Sequence, residues 1–448
     1  MWIGKTYLFF INVQKVLFLL IYTYKHMLDI KFIRENKDIV QAGAKKKLSS
    51  FDVDELLEED KKRLELLQIV ESLRAEQNKM SDKISSSSDQ RVRDTYIDTM
   101  KVVKEQLKAK EEELREIMTV WQGLMLRVPN VPDMSVPDGE SDADNVEIKK
   151  WGTLPIFSFE TKDHVEIMTA LKMVDFERGV KVHGFRGYFL TGDGVRLSFA
   201  IWQYALDFWS NKGFTPVMPP VVARKHVFVG TGFLPEGEDD LYRTQDGEYL
   251  AGTAEVPVMG MHSDEVLGDL DITPLKYLGF SPCYRREAGS HSKDVKGLIR
   301  VQEFYKWEQV VLSGASHQMS VQLHEEINRN TEEFIESLGI PYHTVVNCGG
   351  DLGQGQVKKY DIELWVPKEE KYREISSASY FHDFQTRRSN IKYKDAQGVT
   401  RFAHSLNCTA IPTPRILVSL VENYQQADGS IKIPEVLQKY MGKTSISL

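Results

Sequence analysis

Apolar residues between positions 53 and 128 recur at alternating steps of four and three. This stretch has no proline and one glycine, Gly123, and its abundance of Glu, Lys, Leu and Gln is typical of a long helix. The positions that keep the spacing, with Lys110 as the polar exception, are Tyr96, Met100, Val103, Leu107, Lys110, Leu114, Ile117, Trp121, Leu124 and Val128. Such a repeat predicts the seam of a coiled coil.

A shorter repeat with the same spacing precedes it and predicts the partner helix. Its members are Leu66, Val70, Leu73, Gln77, Met80 and Ile84. Ser and Asp residues at 85–89 interrupt the repeat, so we expect an antiparallel hairpin with its tip near Ser86. On periodicity alone, such a hairpin is most often a spacer or a dimerisation arm. Between residues 90 and 128, eight basic side chains stand against seven acidic ones, and this balance does not identify a nucleic-acid surface.

The pattern changes at a turn-rich segment that follows the hairpin. Its turn residues are Pro129, Pro132, Pro137 and Gly139, followed by an acidic cluster at 140–144. We place a domain boundary here. Beyond Trp151, short β-branched and aromatic runs mix with helical stretches. The pattern predicts a helix at 197–209 and strands at 300–311 and 357–366.

The first 26 residues are apolar and raise the question of a membrane anchor or a signal peptide. Their longest uninterrupted apolar run covers residues 16–22, whereas a membrane-spanning helix needs about 20 residues. The first alanine is Ala42, so the small residues of a cleavage site are missing. We therefore interpret residues 1–26 as an upstream extension or a mis-assigned start, with the functional protein beginning at Met27, and expect no stable membrane association.

Composition and charge exclude several broad classes. The chain has 448 residues, of which 42% are hydrophobic and 27% charged, so it has room for two or three domains and is not largely disordered. A net charge of −8 excludes a strongly basic coat for nucleic acid, although not a local basic groove. Three widely spaced cysteines, Cys283, Cys348 and Cys408, favour a reducing compartment over a disulfide framework.

The common signatures of nucleotide folds and hydrolases are missing from the sequence. It contains no P-loop, no G-x-S-x-G and no H-E-x-x-H, and the glycines at 349–355 lack the dinucleotide spacing. Charged residues instead stand in strand-like sequence at Arg285, Glu287, Arg300, Glu308, Glu374 and Arg415. Internal ion pairing explains any one of them, because a half-buried charge needs a partner. Together they describe an environment for a polyphosphate with a divalent metal.

Five ordered motifs resemble those of the seryl-tRNA synthetases, and the resemblance runs from Met27 to the end of the chain. The three class II signatures are GFTPVMPPVV at 213–222, with Pro220 at its dimer-forming position, CYRREAGSHSKDVKGLIRVQEFYKWEQ at 283–309, and LNCTAIPTPRILVSLVENYQ at 406–425. Two further segments narrow the class to serine, namely GTAEVP at 252–257 and EISSASYFHDFQTRR at 374–388.

The resemblance implies an α+β fold class. We expect a class II synthetase antiparallel sheet flanked by helices, preceded by a long antiparallel coiled-coil hairpin. The expected divisions are the apolar extension at 1–26, a helical tRNA-binding arm at 27–135 with its hairpin at about 53–128, and a class II catalytic domain at 136–448.

The resemblance also implies the residues that bind ATP. Arg285 would hold the α-phosphate and the attacking carboxylate, and Arg415 would bind the γ-phosphate of a bent ATP, which makes these two the expected catalytic residues. Glu287 would grip adenine, and Phe304 would stack on it. The other expected ATP-site residues are Arg286, Val301, Glu374, Ile375, Ser376 and Ser377.

Metal and serine sites are implied in the same way. Glu374 and Ser377 would hold Mg²⁺ across the phosphates, and Glu308 would take the α-ammonium of serine. The rest of the expected serine pocket consists of Thr253, Ala254, Glu255, Asn407 and Thr409. Activation is attack by a carboxylate that is already ionised at pH 7, so the chemistry needs no general base and no His or Cys nucleophile.

The function implied is that of a serine–tRNA ligase. The enzyme would be a Mg²⁺-dependent, cytoplasmic homodimer that makes seryl-adenylate from L-serine and ATP and loads tRNA(Ser), and also tRNA(Sec) where the organism has one. Two rival hypotheses stay open. One is a non-catalytic coiled-coil interaction protein, motivated by the apolar extension and by Pro412 and Pro414 beside Arg415. The other is a synthetase-like enzyme that loads a carrier protein, which would not need the hairpin.

Overall fold

A computed structural model describes residues 29–288, 294 and 296–448. The predictions for residues 1–26 lie outside the described residues. The chain divides into two compact units, one with residues 29–45 and 49–129, the other with residues 46–48 and 130–448. In the part of the chain that the structure describes, no helix combines the length and the apolar character needed to cross a bilayer.

The first unit is helical, and it confirms the predicted hairpin. Its helices are α1 (Ile30–Glu35), α2 (Lys37–Lys46), α3 (Val53–Ser86) and α4 (Gln90–Arg127). Asp52 and Asp89 cap the two long helices, because their carboxylates accept hydrogen bonds from free amides of the first turns. Along the seam Val70, Val103 and Leu107 are buried. The turn at 87–89 follows directly on the predicted tip.

An eight-stranded sheet forms the centre of the second unit. The strand order is β1-β10-β11-β12-β15-β9-β8-β4, and every neighbouring pair is antiparallel except β4 with β8. The strands of this sheet are β1 (Val146–Trp151), β4 (Thr215–Val217), β8 (Leu275–Tyr284), β9 (Glu303–Ser313), β10 (Tyr342–Val346), β11 (Lys358–Val366), β12 (Lys371–His382) and β15 (His404–Thr413).

Short strands form four smaller sheets around it. They are β2 (Val174–Asp175) with β3 (Phe189–Leu190), β5 (Val222–Ala223) with β6 (Tyr249–Leu250), β7 (Val266–Leu267) with β13 (Lys392–Lys394) and β14 (Thr400–Phe402), and β16 (Ile431–Lys432) with β17 (Ser445–Ile446). The helices of this unit are α5 (His164–Ala170), α6 (Phe176–His183), α7 (Gly192–Asn211), α8 (Lys225–Thr231), α9 (Glu255–Gly260), α10 (His317–Ser337), α11 (Phe384–Arg388), α12 (Arg415–Asn423) and α13 (Glu435–Met441).

Helices cover the sheet and build the main apolar core with it. Helix α10 packs on β12 and β15, and α12 packs on β11. Trp209 of α7 lies 4.8 Å from Phe334 of α10, centroid to centroid, and both side chains are buried. Helix α8 packs against both α9 and α11 in a separate group, in which α11 also contacts β15 and α9 contacts β9. The predicted fold class, an antiparallel sheet flanked by helices after a coiled-coil hairpin, is confirmed.

Candidate active site

A cleft open to solvent, with about 510 Å³ of empty space, lies where the adjacent strands β12, β15, β9 and β8 meet the start of α12. Its lining consists of Arg285, Glu287, Leu298, Ile299, Arg300, Val301, Phe304, Lys306, Glu374, Ile375, Thr409, Pro412, Thr413, Pro414 and Arg415. Eight residues singled out from the sequence for ATP or serine are therefore brought together here. They come from segments as far apart as 285 and 415 in the chain.

Arg285 follows the end of β8, at the open side of the cleft. Its Nε donates to the Gly252 carbonyl at 3.4 Å, and its guanidinium carbon lies 5.2 Å from the centroid of the Phe304 ring. A cation above an aromatic face at this distance is attracted by the ring quadrupole. The side chain itself is exposed. Arg285 is therefore oriented by weak contacts and has donors left for an anion.

Glu287 is held by arginines within the protein. The Arg300 Nη1 donates to its carboxylate at 2.7 Å, and the Arg186 Nη1 lies 3.8 Å away. The backbone of Glu287 has φ 53°, the left-handed region that non-glycine residues adopt only when neighbouring contacts impose it. Internal ion pairing, one of the two explanations that the sequence left open, thus holds for Arg300 and Glu287.

Arg415 begins α12 and reaches the cleft despite the prolines before it. Its Nε donates to the Ile299 carbonyl and its Nη1 to the Glu374 carbonyl, each at 2.9 Å. Burial lowers the pKa of the Arg415 guanidinium from its ordinary value, and the positive charges of Arg285 and Arg300 act in the same direction. Three arginines thus line one cleft, with Arg300 paired to Glu287, and such a set suits a multiply charged anion.

A buried polar cluster lies at the inner end of the cleft. Lys306 and Glu308, both on β9, form an ion pair, and the Lys306 Nζ also donates to Thr409 at 3.3 Å. The Glu308 carboxylate accepts from the hydroxyls of Thr253 and Thr409, both at 3.3 Å. All these side chains are buried or nearly so. Lys306 was not predicted from the sequence. It lies two residues from both Phe304 and Glu308 on one strand, and this alternation was the signal that could have identified it.

Glu255, the first residue of α9, joins the same cluster. Burial raises the pKa of its carboxyl to about 7, and the nearby Glu308 carboxylate adds to the rise, against Lys306 and the hydrogen bonds from Gln385 and Asn407. With Glu255 ionised, the cluster contains two carboxylates and one ammonium. Its net charge of about −1 complements one ammonium group of a ligand.

Other predicted site residues lie around the cleft rather than on its surface. Arg286 lies outside it, where its Nη1 donates to the Asp239 carbonyl at 3.0 Å. The Ser376 hydroxyl donates to the Thr409 carbonyl at 2.5 Å, and the Ser377 hydroxyl bonds to Asp361 on the neighbouring strand. The two remaining residues, buried Ala254 and partly buried Asn407, belong to the surroundings of Glu255.

Within residues 29–288, 294 and 296–448, no three His, Cys, Asp or Glu side chains come together as a cluster that could hold a metal ion. Glu374 is the exposed acidic residue of the cleft lining, with a side chain that is 51% exposed and a carboxylate 4.0 Å from Arg415.

The fold and the cleft define a class II tRNA synthetase core. Residues 239–424 match the family model described as "tRNA synthetase class II core domain (G, H, P, S and T)". Residues 27–132 match a second model, "Seryl-tRNA synthetase N-terminal domain". This pairing of core and arm is the combination that the sequence motifs predict.

Comparison with known proteins narrows the class II synthetases to one family. The chain is 44% identical to the serine–tRNA ligase of Deinococcus radiodurans over 417 residues, which is 93% of this chain and 98% of that protein. The structure of seryl-tRNA synthetase from Pyrococcus horikoshii complexed with ATP matches with a TM-score of 0.86 and 38% identity, covering 93% of this chain and 99% of that one. The cytoplasmic serine–tRNA ligase of Naegleria fowleri, in complex with AMP, matches with a TM-score of 0.83 and 29% identity over 95% and 99%. The chain belongs to the seryl-tRNA synthetase family.

Proposed function

We propose that this chain activates L-serine with ATP and transfers the seryl group to tRNA(Ser). The observation that carries the proposal is the continuity of two sites. Lys306 and Thr409 line the cleft with its three arginines, and both also belong to the buried cluster of net charge about −1. A polyanion and an amino acid can therefore bind side by side, with the phosphates of one beside the carboxylate of the other.

Serine activation needs positioning rather than proton transfer. The serine carboxylate oxygen forms a bond to the α-phosphorus while the bond from that phosphorus to the bridging oxygen of the β-phosphate breaks, and pyrophosphate leaves. Arg285 neutralises the charge that develops on the α-phosphate oxygens, and Arg415 holds the far phosphates. In the second step, a terminal ribose hydroxyl of the tRNA attacks the acyl carbon and gives up its proton to the AMP phosphate or to solvent. The bond from the acyl carbon to the phosphate oxygen breaks, and AMP leaves.

ATP and Mg²⁺ complete this site. Mg²⁺ binds in phosphate sites through one or two carboxylates together with phosphate oxygens, so the exposed Glu374 carboxylate at the cleft fits the ion. Glu374 would hold it, joined by Ser377 once its hydroxyl turned from Asp361 towards the cleft, and when bound the ion would neutralise phosphate charge. Phe304 and Glu287 remain the residues for adenine, one by stacking and one by accepting hydrogen bonds.

The buried cluster accounts for the choice of serine. Glu308 takes the α-ammonium, while Thr253, Glu255, Asn407 and Thr409 surround the side-chain hydroxyl. A ligand without the hydroxyl leaves those groups unpaired, and sites of this kind reject such analogues by roughly 10⁴-fold. Alanine should therefore be a very poor substrate.

A basic stripe on α4 supports tRNA binding by the hairpin. Its exposed members are Arg93, Lys101, Lys104, Lys108 and Arg115. At 3.6 residues per turn, these five side chains fall within a sector of about 80° on the helix surface. Lys101 and Arg115 also pair with acidic neighbours at 2.9 and 2.8 Å. The stripe suits a phosphate backbone, that of tRNA(Ser) and of tRNA(Sec) where one exists.

Exposed apolar side chains support a homodimer. Eight of them lie between residues 180 and 222, and within that range the largest exposures are 76% for Val182, 62% for Phe199 and 79% for Met218. We take these side chains to form one patch, which would be typical of a protein–protein interface. The cysteines of the described residues are free and buried, which suits a reducing compartment such as the cytoplasm.

The test of the proposed function is ATP–pyrophosphate exchange by the full chain. Serine, threonine, alanine and glycine are compared with and without Mg²⁺, and charging of tRNA(Ser) is measured alongside. We expect exchange with serine alone, dependent on the metal. A folded protein that is silent with all four amino acids would refute the proposal and favour the non-catalytic interaction protein, although the names of the relatives support the enzyme.

A further inference from the structure

A buried amide lies behind Glu255, at a position inside the motif at 374–388 to which the sequence assigned no role. Gln385, on α11, has a side chain that is buried, as are the side chains of Ser405 on β15 and Thr231 at the end of α8. Its Nε2 donates to the Glu255 carboxylate at 2.6 Å and to the Thr231 carbonyl at 3.2 Å. Its Oε1 accepts from the Ser405 hydroxyl at 2.7 Å. Every polar atom of the amide therefore has a partner.

These partners allow only one orientation of the amide. The Thr231 carbonyl can only accept, so it has to face the NH₂ group. Turning the amide over would bring Oε1 against that carbonyl and against the ionised carboxylate, neither of which can donate. The NH₂ group is therefore fixed towards Glu255, and the orientation is imposed from three separate elements of the fold.

We propose that Gln385, oriented by Ser405 and Thr231, is a positioning residue of the serine site that holds the Glu255 carboxylate in its ionised, binding-competent state. This inference rests on the proposed function, because it takes Glu255 to be a serine ligand. Gln385 itself lies outside the cleft lining. Its effect on the substrate therefore passes through Glu255.

The physical reason is the environment of Glu255. From β9 it faces the charges of Lys306 and Glu308, from β15 it faces the neutral Asn407, and burial opposes its ionisation. A hydrogen bond donated to a carboxylate stabilises the ionised form. Without the Gln385 amide, the carboxyl would take up a proton at a higher pH, and the net negative charge that attracts the serine ammonium would be lost.

The test compares serine binding and catalysis in the full-length chain and its variants. Serine affinity is measured by calorimetry without ATP, and KM values for serine and for ATP come from pyrophosphate exchange, all between pH 6 and 9. For Gln385→Leu we expect serine affinity to fall roughly 10- to 100-fold at neutral pH. We also expect the acid limb of the serine kcat/KM profile to move to higher pH, with the KM for ATP unchanged.

Gln425→Leu is the matched control. Gln425 is also a buried glutamine with a bonded amide, donating to the Lys162 and Glu422 carbonyls, and it lies outside the cleft. Its loss should lower the melting temperature without moving the serine pH profile. If both variants shift serine and ATP parameters alike, Gln385 is merely structural and the inference is overturned.

A second variant covers the case in which Gln385→Leu does not fold, and the wild type separates this inference from the proposed function. If Gln385→Leu does not fold, Ser405→Ala releases one end of the amide, and serine affinity should fall roughly two- to tenfold. Wild-type affinity in that variant overturns the inference.

Wild-type protein that binds serine but lacks exchange contradicts the proposed function alone, because the binding comparison still tests Gln385. Wild-type protein that does not bind serine contradicts both.

Discussion

Lys306 belongs to both parts of the candidate site, the cleft and the buried polar cluster. It pairs with the buried Glu308, bonds to Thr409 and lines the cleft. Removing one partner of a buried ion pair leaves the other charge uncompensated, at a cost of about 3–5 kcal/mol. Lys306→Met should therefore weaken both the site and the fold.

We predict that Lys306→Met lowers the kcat/KM for serine in pyrophosphate exchange by roughly 10²- to 10³-fold. A drop in melting temperature should accompany it, measured by calorimetry. Lys276→Met is the control, since Lys276 pairs with Glu326 at 2.6 Å outside the cleft. Equal losses of activity in the two variants would argue against a role of Lys306 in the site.

The buried Glu255 carboxylate is expected to have opposite effects on function and on stability: it supports serine binding, and its ionisation destabilises the fold. Its pKa is raised to about 7 from the ordinary 4.5, so the folded state binds its proton more tightly than the unfolded state does. Stability is therefore lost as the pH rises from about 4.5 to 7, and the full cost of up to about 3 kcal/mol is present above pH 7. Glu255→Gln should remove this cost.

We predict that Glu255→Gln melts at a higher temperature than the wild type at pH 8 and at nearly the same temperature at pH 5, and that it binds serine much more weakly. Thermal unfolding at the two pH values and calorimetric titration with serine measure both effects. A variant that is less stable than the wild type at pH 8 would contradict the assignment of a buried, ionised Glu255.

At the scale of the element, the basic stripe of α4 gives a prediction that separates tRNA binding from serine activation. Lys104→Glu with Lys108→Glu reverses two exposed charges of the stripe. The KM for tRNA should rise roughly tenfold and the salt dependence of binding should decrease, because each lysine that contacts a phosphate contributes to that slope. Pyrophosphate exchange should be unchanged.

Lys61→Glu with Lys79→Glu is the control for the stripe. These exposed lysines lie on the outward side of α3, so the variant has the same change of net charge on a different helix. If tRNA charging falls equally in both double variants, net charge rather than the stripe determines binding.

The elements differ in how far the sequence could predict them. The hairpin was predicted almost to the residue, because its 4-3 spacing is a local signal. Helix α7 begins at Gly192 rather than at the predicted residue 197. Gly194 in its first turn packs so closely that a Cβ there would lie 2.3 Å from the Met173 carbonyl oxygen. Packing here outweighs the weak helix propensity of glycine. Strand β9 begins at Glu303 instead of 300, because residues 298–301 line the cleft.

The site residues divide in a similar way. Charged residues in strand-like sequence, such as Arg285 and Arg415, are unusual enough to be noticed. Gln385 and Ser405 are ordinary polar residues in the sequence, and their importance comes only from Glu255, which lies more than a hundred residues earlier in the chain. No local pattern records such a distant contact.

For the whole molecule, the exposed apolar patch gives a prediction about assembly. Phe199→Glu puts a charge into the surface between residues 180 and 222, where burial of a carboxylate would be costly. We expect the variant to be a folded monomer in light scattering, with reduced exchange activity. Val399→Glu, at an exposed position outside this patch, should stay dimeric. A dimeric Phe199→Glu protein would show that the patch is not the interface.

The pairing of β9 with its neighbours has a consequence for how this protein can change in evolution. Phe304, Lys306 and Glu308 share one face of the strand, while Tyr305 and Trp307 pack against Phe280 on the other. The spacing of these three residues is thus set by the two-residue repeat along the strand. Deletion of one residue within β9 would exchange its two faces and place aromatic rings in the cleft.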